Sequence, residues 1–246
     1  MVYTVLQERC RRTGESASHV IRQALADALD LEHHTNYQVS TSGALVQGGY
    51  QGCVRVGDLL QHGDFGLGTF EGLHGEGILL DGTCWQACGD GTVRQAPADA
   101  LAPFWLATRF AAAHQAALRE VASWADLTAR LDGLRDNANL FVAIPIRGVF
   151  ERIRYRVACK AQPGVDLVSA TNSQFDLEQV AGTLVGFWTP SYARTINVPG
   201  STCSCSATTI ATPATCWSCR AGSWSLSCTA RATCSWFCRI TGELGL

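Results

Sequence analysis

Short extended runs, each stopped by glycine, occupy the chain from Tyr37 to Thr92 and commit its body to sheet. Tyr37-Gln-Val-Ser-Thr-Ser-Gly, Ala44-Leu-Val-Gln-Gly-Gly-Tyr and Gly52-Cys-Val-Arg-Val-Gly read as extended pieces with turn chemistry at their ends. Gly77-Ile-Leu-Leu reads as a buried strand. Asp81-Gly82 and Asp90-Gly91 suggest hairpin turns on either side of a strand from Thr83 to Ala87. Leu101 to Phe110 suggests one more strand.

Helices are few. Ser16 or Ser18 can cap a helix over 16–31, in which Val20, Ile21, Ala24, Leu25 and Leu29 repeat at helical spacing. A second helix follows Ser123, whose hydroxyl can accept from the Asp126 amide while Asp126 reaches back, and Leu127, Leu131 and Leu134 give it an apolar face. Asn139-Leu-Phe-Val-Ala-Ile returns to strand. In Gly148-Val-Phe-Glu-Arg-Ile-Arg-Tyr-Arg-Val the alternation sets Arg152, Arg154 and Arg156 on one face. Val180 to Thr189 is apolar and extended, and Pro190 ends it. The fold class is therefore α/β (α+β), sheet-dominated, with two mixed β-sheet domains and few helices. The expected division is a helical extension at 1–34, a first sheet domain at 35–138, a second, incomplete one at 139–200 and a tail at 201–246.

Composition narrows the functional classes. The 246 residues are 47% hydrophobic with a net charge of -2, which gives no electrostatic reason to expect nucleic acid or an anionic membrane as partner. Glu8, Arg9, Arg11 and Arg12 interrupt the N-terminus too early for a signal-peptide core, and no apolar run reaches the ~18 residues of a membrane span. A cytoplasmic protein is the expectation. Of its 12 Cys, Cys10, Cys53, Cys84, Cys88 and Cys159 are scattered as in a reducing compartment, and the rest crowd beyond Gly200.

That crowding marks a break. From Ser201 the chain turns rich in Cys, Ser, Thr and Trp, keeps Glu243 as its one acidic residue and has no His.

The densest site candidate is Gly63-Asp-Phe-Gly-Leu-Gly-Thr-Phe-Glu-Gly-Leu-His-Gly-Glu, where glycines let the backbone pass close to something and Thr69, Glu71, His74 and Glu76 bring polar groups. A Gly-rich hairpin with exposed carboxylates is the simpler reading. The arginine strand could hold an anionic substrate, since guanidinium matches a carboxylate with two parallel bonds, or could be a solvated sheet face. Cys84-x3-Cys88 lacks nearby ligands and reads as two buried thiols.

Taken together, Gln38-Val-Ser-Thr-Ser-Gly-Ala-Leu, Val56-Gly-Asp-Leu-Leu-Gln-His-Gly-Asp-Phe-Gly-Leu-Gly-Thr-Phe, Asp81-Gly, Asp90-Gly-Thr, Asn139-Leu-Phe-Val-Ala-Ile and Gly182-Thr-Leu-Val-Gly-Phe-Trp-Thr-Pro-Ser-Tyr-Ala resemble the α-acetolactate decarboxylase family from about Tyr37 to Gly200. The resemblance implies conversion of (S)-2-acetolactate to (R)-acetoin and CO2 in acetoin and butanediol formation. It implies a zinc ion on three His as electron sink, no organic cofactor, and a homodimer. It assigns Glu76 to acid/base work, Arg156 to the substrate carboxylate or to proton delivery, and Thr69 to the pocket lining.

The break falls where that family keeps its zinc ligands. Val198-Pro-Gly200 is in place, yet the three ligand positions fall on Thr202, Ser204 and Thr215, and neutral hydroxyls do not replace imidazoles on zinc. A shifted reading frame accounts for much of this. Thr codons read one base earlier after a C give His, restoring 202 and 215. Residues 206–209 recode as Leu-Ser-Asp-Asp and 214–218 as Gly-His-Val-Leu-Glu. Ser204 does not recover. The rival reading is a genuine cysteine zinc site, since Cys203-x-Cys205 and Cys216-x2-Cys219 have ligand spacing. A non-catalytic binding protein on the same scaffold is the third reading. With the tail lost from the sheet, an open edge and aggregation are expected. Pro145 stands where relatives carry Arg and suits only an edge or a bulge.

Overall fold

A computed structural model describes residues 2–13, 16–29, 36–112, 114–121, 123–135, 137–158, 172–207, 228–236 and 238–240; for residues 13, 19, 22, 23, 26, 27, 114, 119, 120, 124, 151, 154, 156, 158 and 172 and for everything from Ser201 onward only the backbone is described. Its helices are α1 (Val2–Thr13), α2 (Ala17–Ala28), α3 (Ser42–Val46), α4 (Val56–His62) and α5 (Trp124–Gly133). Its strands are β1 (Asn36–Val39), β2 (Val54–Arg55), β3 (Phe65–Thr69), β4 (Glu76–Leu80), β5 (Thr83–Ala87), β6 (Val93–Gln95) and β7 (Leu101–Ala102). They continue with β8 (Phe104–Thr108), β9 (His114–Val121), β10 (Phe141–Ala158), β11 (Asn172–Thr189), β12 (Gly200–Ala207), β13 (Cys228–Trp236) and β14 (Cys238–Ile240).

One antiparallel sheet runs β1-β8-β3-β4-β5-β6, and a second runs β12-β11-β10-β13-β9 with β14 also on β10. The hairpin signals sit where expected. Asp81 (φ 50°) and Gly82 (φ 74°) make the β4–β5 turn, and Gly91 (φ 85°) closes the turn before β6. The fold is thus mixed α/β, rich in antiparallel sheet and poor in helix.

Several local expectations are corrected. Within the helical extension expected at 1–34, residues 2–13 form α1, a helix not delimited individually from the sequence; Arg11 and Arg12 in its last turn complement the helix C-terminus. Ala44-Leu-Val, read as extended, is part of α3, because the Thr41 hydroxyl accepts from the Ala44 amide and caps a helical turn that buries Leu45. The strand expected at 52–57 shrinks to β2. From Val56 the chain is helical, since Val56 and Leu59, three apart, both enter the core. The expected strand from Leu101 to Phe110 divides into β7 and β8. In α5, Ser123 accepts from Asp126 N at 3.1 Å and Leu127 and Leu131 are buried, but Leu134 follows the helix and is exposed. The helix expected over 16–31 closes at Ala28 within the described residues.

Pro145 lies inside a central strand rather than at an edge. It pairs with Val185 on β11, while on the other side β14 pairs with Phe141–Ala143 and β13 with Ile146 and Arg147. Among the described residues that flank is interrupted at Ile144 and Pro145, so the missing N–H falls at a gap in the ladder. The tail, expected to leave the second sheet's edges open, instead lines β11 with β12 and β10 with β13 and β14. Strand pairing uses backbone groups, which any sequence without proline supplies.

The two sheets share a core. Phe65, Leu67 and Ile78 of the first sheet pack with Phe141, Ala143, Val185 and Phe187 of the second. On the other face of the first sheet, Val56, Leu59, Leu79, Cys84 and Trp105 form a separate cluster beneath α4. The turn before β12 is tied to the first sheet. The Ile196 carbonyl accepts from Gln38 Nε2 at 2.8 Å and from Ser42 N at 3.0 Å.

Candidate active site

The glycines of the β3–β4 hairpin serve an indole. A Cβ on Gly68 would stand 2.1 Å from the Trp105 ring, and one on Gly77 would stand 2.3 Å from it. Trp105, fully buried on β8, fills that bare strip of backbone. The glycines therefore do not mark a ligand loop. They let a large ring lie flat on one face of the sheet, which frees the opposite face for other side chains.

That opposite face carries the polar pair. Thr69 and Glu76 are direct cross-strand partners, the last residue of β3 facing the first of β4, and both are 3% exposed. They continue the row formed by Phe65, Leu67 and Ile78, which packs against the second sheet. The Thr69 hydroxyl donates to the Gly75 carbonyl at 2.7 Å. Glu76 also faces Ala87 on β5, and Ala87 packs in the cluster that holds Ile153, Tyr155 and Val157 of β10. Of the four polar residues the hairpin offered, Glu71 and His74 are exposed, with Glu71 Oε1 accepting from Gly52 N at 3.3 Å.

Of Arg152, Arg154 and Arg156, Arg152 is the one whose side chain is described. Arg152 meets Asp176 across the ladder at 3.6 Å, which is the solvated-face reading. Arg156 pairs in register with Gln174, between Tyr155 and Val157, whose side chains are buried. Its own side chain lies outside the described residues.

Two of the three expected ligand positions are placed, by backbone alone. Thr202 pairs with Phe187 and Ser204 with Val185, the two β11 residues that pack between the sheets, and β12 also approaches β4. Thr215 lies outside the described residues. Among the described residues no group of three or more His, Cys, Asp or Glu converges to hold a metal.

Two other titrating groups follow from the fold. Burial pushes the Cys84 thiol up to about 12, and Cys84 and Cys88 are both buried and outside any disulfide. Asp90 is held below its ordinary value by bonds from Thr92, whose hydroxyl and amide donate to Oδ1 at 2.6 and 2.9 Å.

Comparison with known proteins places the fold and this hairpin within the decarboxylating lyases. Residues 36–202 match the family model described as Alpha-acetolactate decarboxylase, and the chain belongs to that family. It is 42% identical over 167 residues to the alpha-acetolactate decarboxylase of Methanosarcina mazei, covering 67% of this chain but only 58% of that protein's length. It is 37% identical over 186 residues to that of Methylococcus capsulatus, covering 74% of this chain and 72% of the relative. Among solved structures, alpha-acetolactate decarboxylase from Bacillus subtilis strain 168 superposes with a TM-score of 0.75 at 28% identity, covering 83% of this chain and 86% of that one.

Missed by the sequence reading were Trp105 and Gln86. The signal for Trp105 was available, since alternate glycines on adjacent strands imply something large lying on them. Gln86 gave no signal.

Proposed function

We propose that this chain is an acetolactate decarboxylase by descent, built to convert (S)-2-acetolactate to (R)-acetoin and CO2, and that as written it turns over little or none. The observation that carries this is the inter-sheet face. A buried carboxyl, Glu76, stands beside Thr69 on β4, and the family's ligand positions 202 and 204 pair with the β11 residues that enter the same layer. Glu76 holds and delivers a proton there, shielded from water by the two sheets. Arg156 serves the substrate carboxylate by resemblance to the family, its guanidinium matching a carboxylate with two parallel bonds. Thr69 lines the pocket with its oxygen while its hydroxyl proton is committed to Gly75.

The residues present do not fit a zinc ion. The described ligand positions carry Thr202 and Ser204, whose neutral hydroxyls bind zinc poorly. A one-base slip in the coding DNA near the codon for Gly200 accounts for this, and the family match ending at residue 202 agrees with it. A cytosolic homodimer completes the reading; the boundary expected at residue 138 moves, because β9 (His114–Val121) belongs to the second sheet. No described helix is long and apolar enough to cross a membrane.

Resequencing across that codon, with zinc analysis and an acetoin assay on the purified chain, tests the proposal. Stoichiometric zinc with brisk CO2 release from the chain as written overturns the claim of impairment. Zinc released by thiol reagents would favour a cysteine site in the tail.

A further inference from the structure

We infer that Gln86 is a positioning residue for Glu76, one that holds the carboxyl-bearing strand start by its backbone and touches neither substrate nor carboxyl. Two consecutive carbonyls just before Glu76 are gripped from opposite faces of the first sheet. From the Glu76 face, Thr69 Oγ1 donates to the Gly75 carbonyl at 2.7 Å. From the Trp105 face, Gln86 Nε2 donates to the His74 carbonyl at 2.5 Å. Gln86 pairs across the ladder with Gly77, so its side chain leaves the sheet on the side away from Glu76 and reaches the turn from behind.

The grip is oriented at its far end. Arg94 Nε donates to Gln86 Oε1 at 3.0 Å, which fixes the amide with its NH2 toward His74. Gln86 itself is 4% exposed, so an unpaired amide there would be costly. The turn it holds has little room to relax, because Gly75 sits at φ 94° and a Cβ on it would stand 2.1 Å from the Ala87 carbonyl. With both carbonyls tied, the first residue of β4 has one backbone position, and the Glu76 side chain leaves from a fixed point. The functional meaning rests on the acid/base role proposed for Glu76; the positioning itself does not.

The test is carbodiimide labelling of the full chain near pH 6, with Glu76 read by mass spectrometry against exposed Glu71 in the same molecule. Gln86→Met, which keeps the volume and removes the donor, is expected to label Glu76 about tenfold faster relative to Glu71, the population change that one lost buried hydrogen bond gives to local opening. Gln86→Glu, whose carboxylate keeps the acceptor for Arg94 but offers His74 no donor, should label as fast. Leu131→Ala in α5 supplies a comparably destabilised chain whose Glu76 should keep the parent rate. Equal Glu76 labelling in Gln86→Met and Leu131→Ala overturns the inference, as does a parent-like rate in Gln86→Glu. If Glu76→Gln leaves acetolactate turnover unchanged in any active form of the chain, the acid/base reading falls while the positioning stands.

Discussion

The Trp105 indole lies so close over Gly68 that a methyl group on that residue would stand 2.1 Å from the ring. Gly68→Ala should therefore destabilise the chain by about 3 kcal/mol, the upper part of the usual range for overpacking, because the ring is walled in and cannot step aside. Urea unfolding followed by tryptophan fluorescence checks this, and a loss below about 0.5 kcal/mol would show that the ring has room.

Cys84 gives the chain an alkaline dependence with a definite sign. Its thiol stays protonated in the folded chain up to about 12, while the unfolded thiol ionises at its ordinary value of 9.0. The folded state then holds a proton that the unfolded state releases, so its contribution is complete below 9.0 and is lost progressively as pH rises toward 12. Denaturation midpoints measured on Cys84→Ala should fall less steeply over that interval than those of the parent.

The turn at Asp90 predicts an acid-side effect. Thr92 holds the carboxylate ionised, so Asp90 should titrate below the ordinary aspartate value of 3.8, and its help to the turn is complete above 3.8 and is lost as the pH falls below that. Thr92→Val removes the hydroxyl donor and should move the Asp90 carboxyl resonance back toward the ordinary aspartate range in an NMR titration. An unmoved midpoint would show that the amide of residue 92 suffices.

The register of β12 predicts where a metal could be recovered. Thr202→His with Ser204→His puts two imidazoles at alternate positions of one strand, paired with Phe187 and Val185. Zinc affinity should rise by at least about tenfold over the parent, read by competition with a chromogenic chelator. No gain would mean that this face of β12 does not open onto the layer holding Glu76.

Legibility in the sequence followed the range of the forces involved. Turns set by Asp81-Gly82 and Asp90-Gly91, and the Ser123 cap, depend on neighbours within a few residues, and all were readable. Val56 to His62 was not, because its β-branched start argued for strand while burial of Val56 and Leu59 under the first sheet decided for helix. At the site, Glu76 and Thr69 were singled out through family resemblance, and the fold then made them cross-strand partners. Gln38, the first residue of a family-like motif, acquires a reason, since it ties β1 to the turn that leads into β12. Gln86 stayed invisible because a glutamine in a strand has no pattern of its own until the loop it reaches is known.

The squeeze at Gly75 has a consequence for anyone wishing to redirect the Glu76 carboxyl. Its left-handed backbone and the Ala87 oxygen behind it leave no replacement for the glycine, so the approach from the preceding loop is closed to engineering. Adjustment would have to come sideways, by changing what stands on β5.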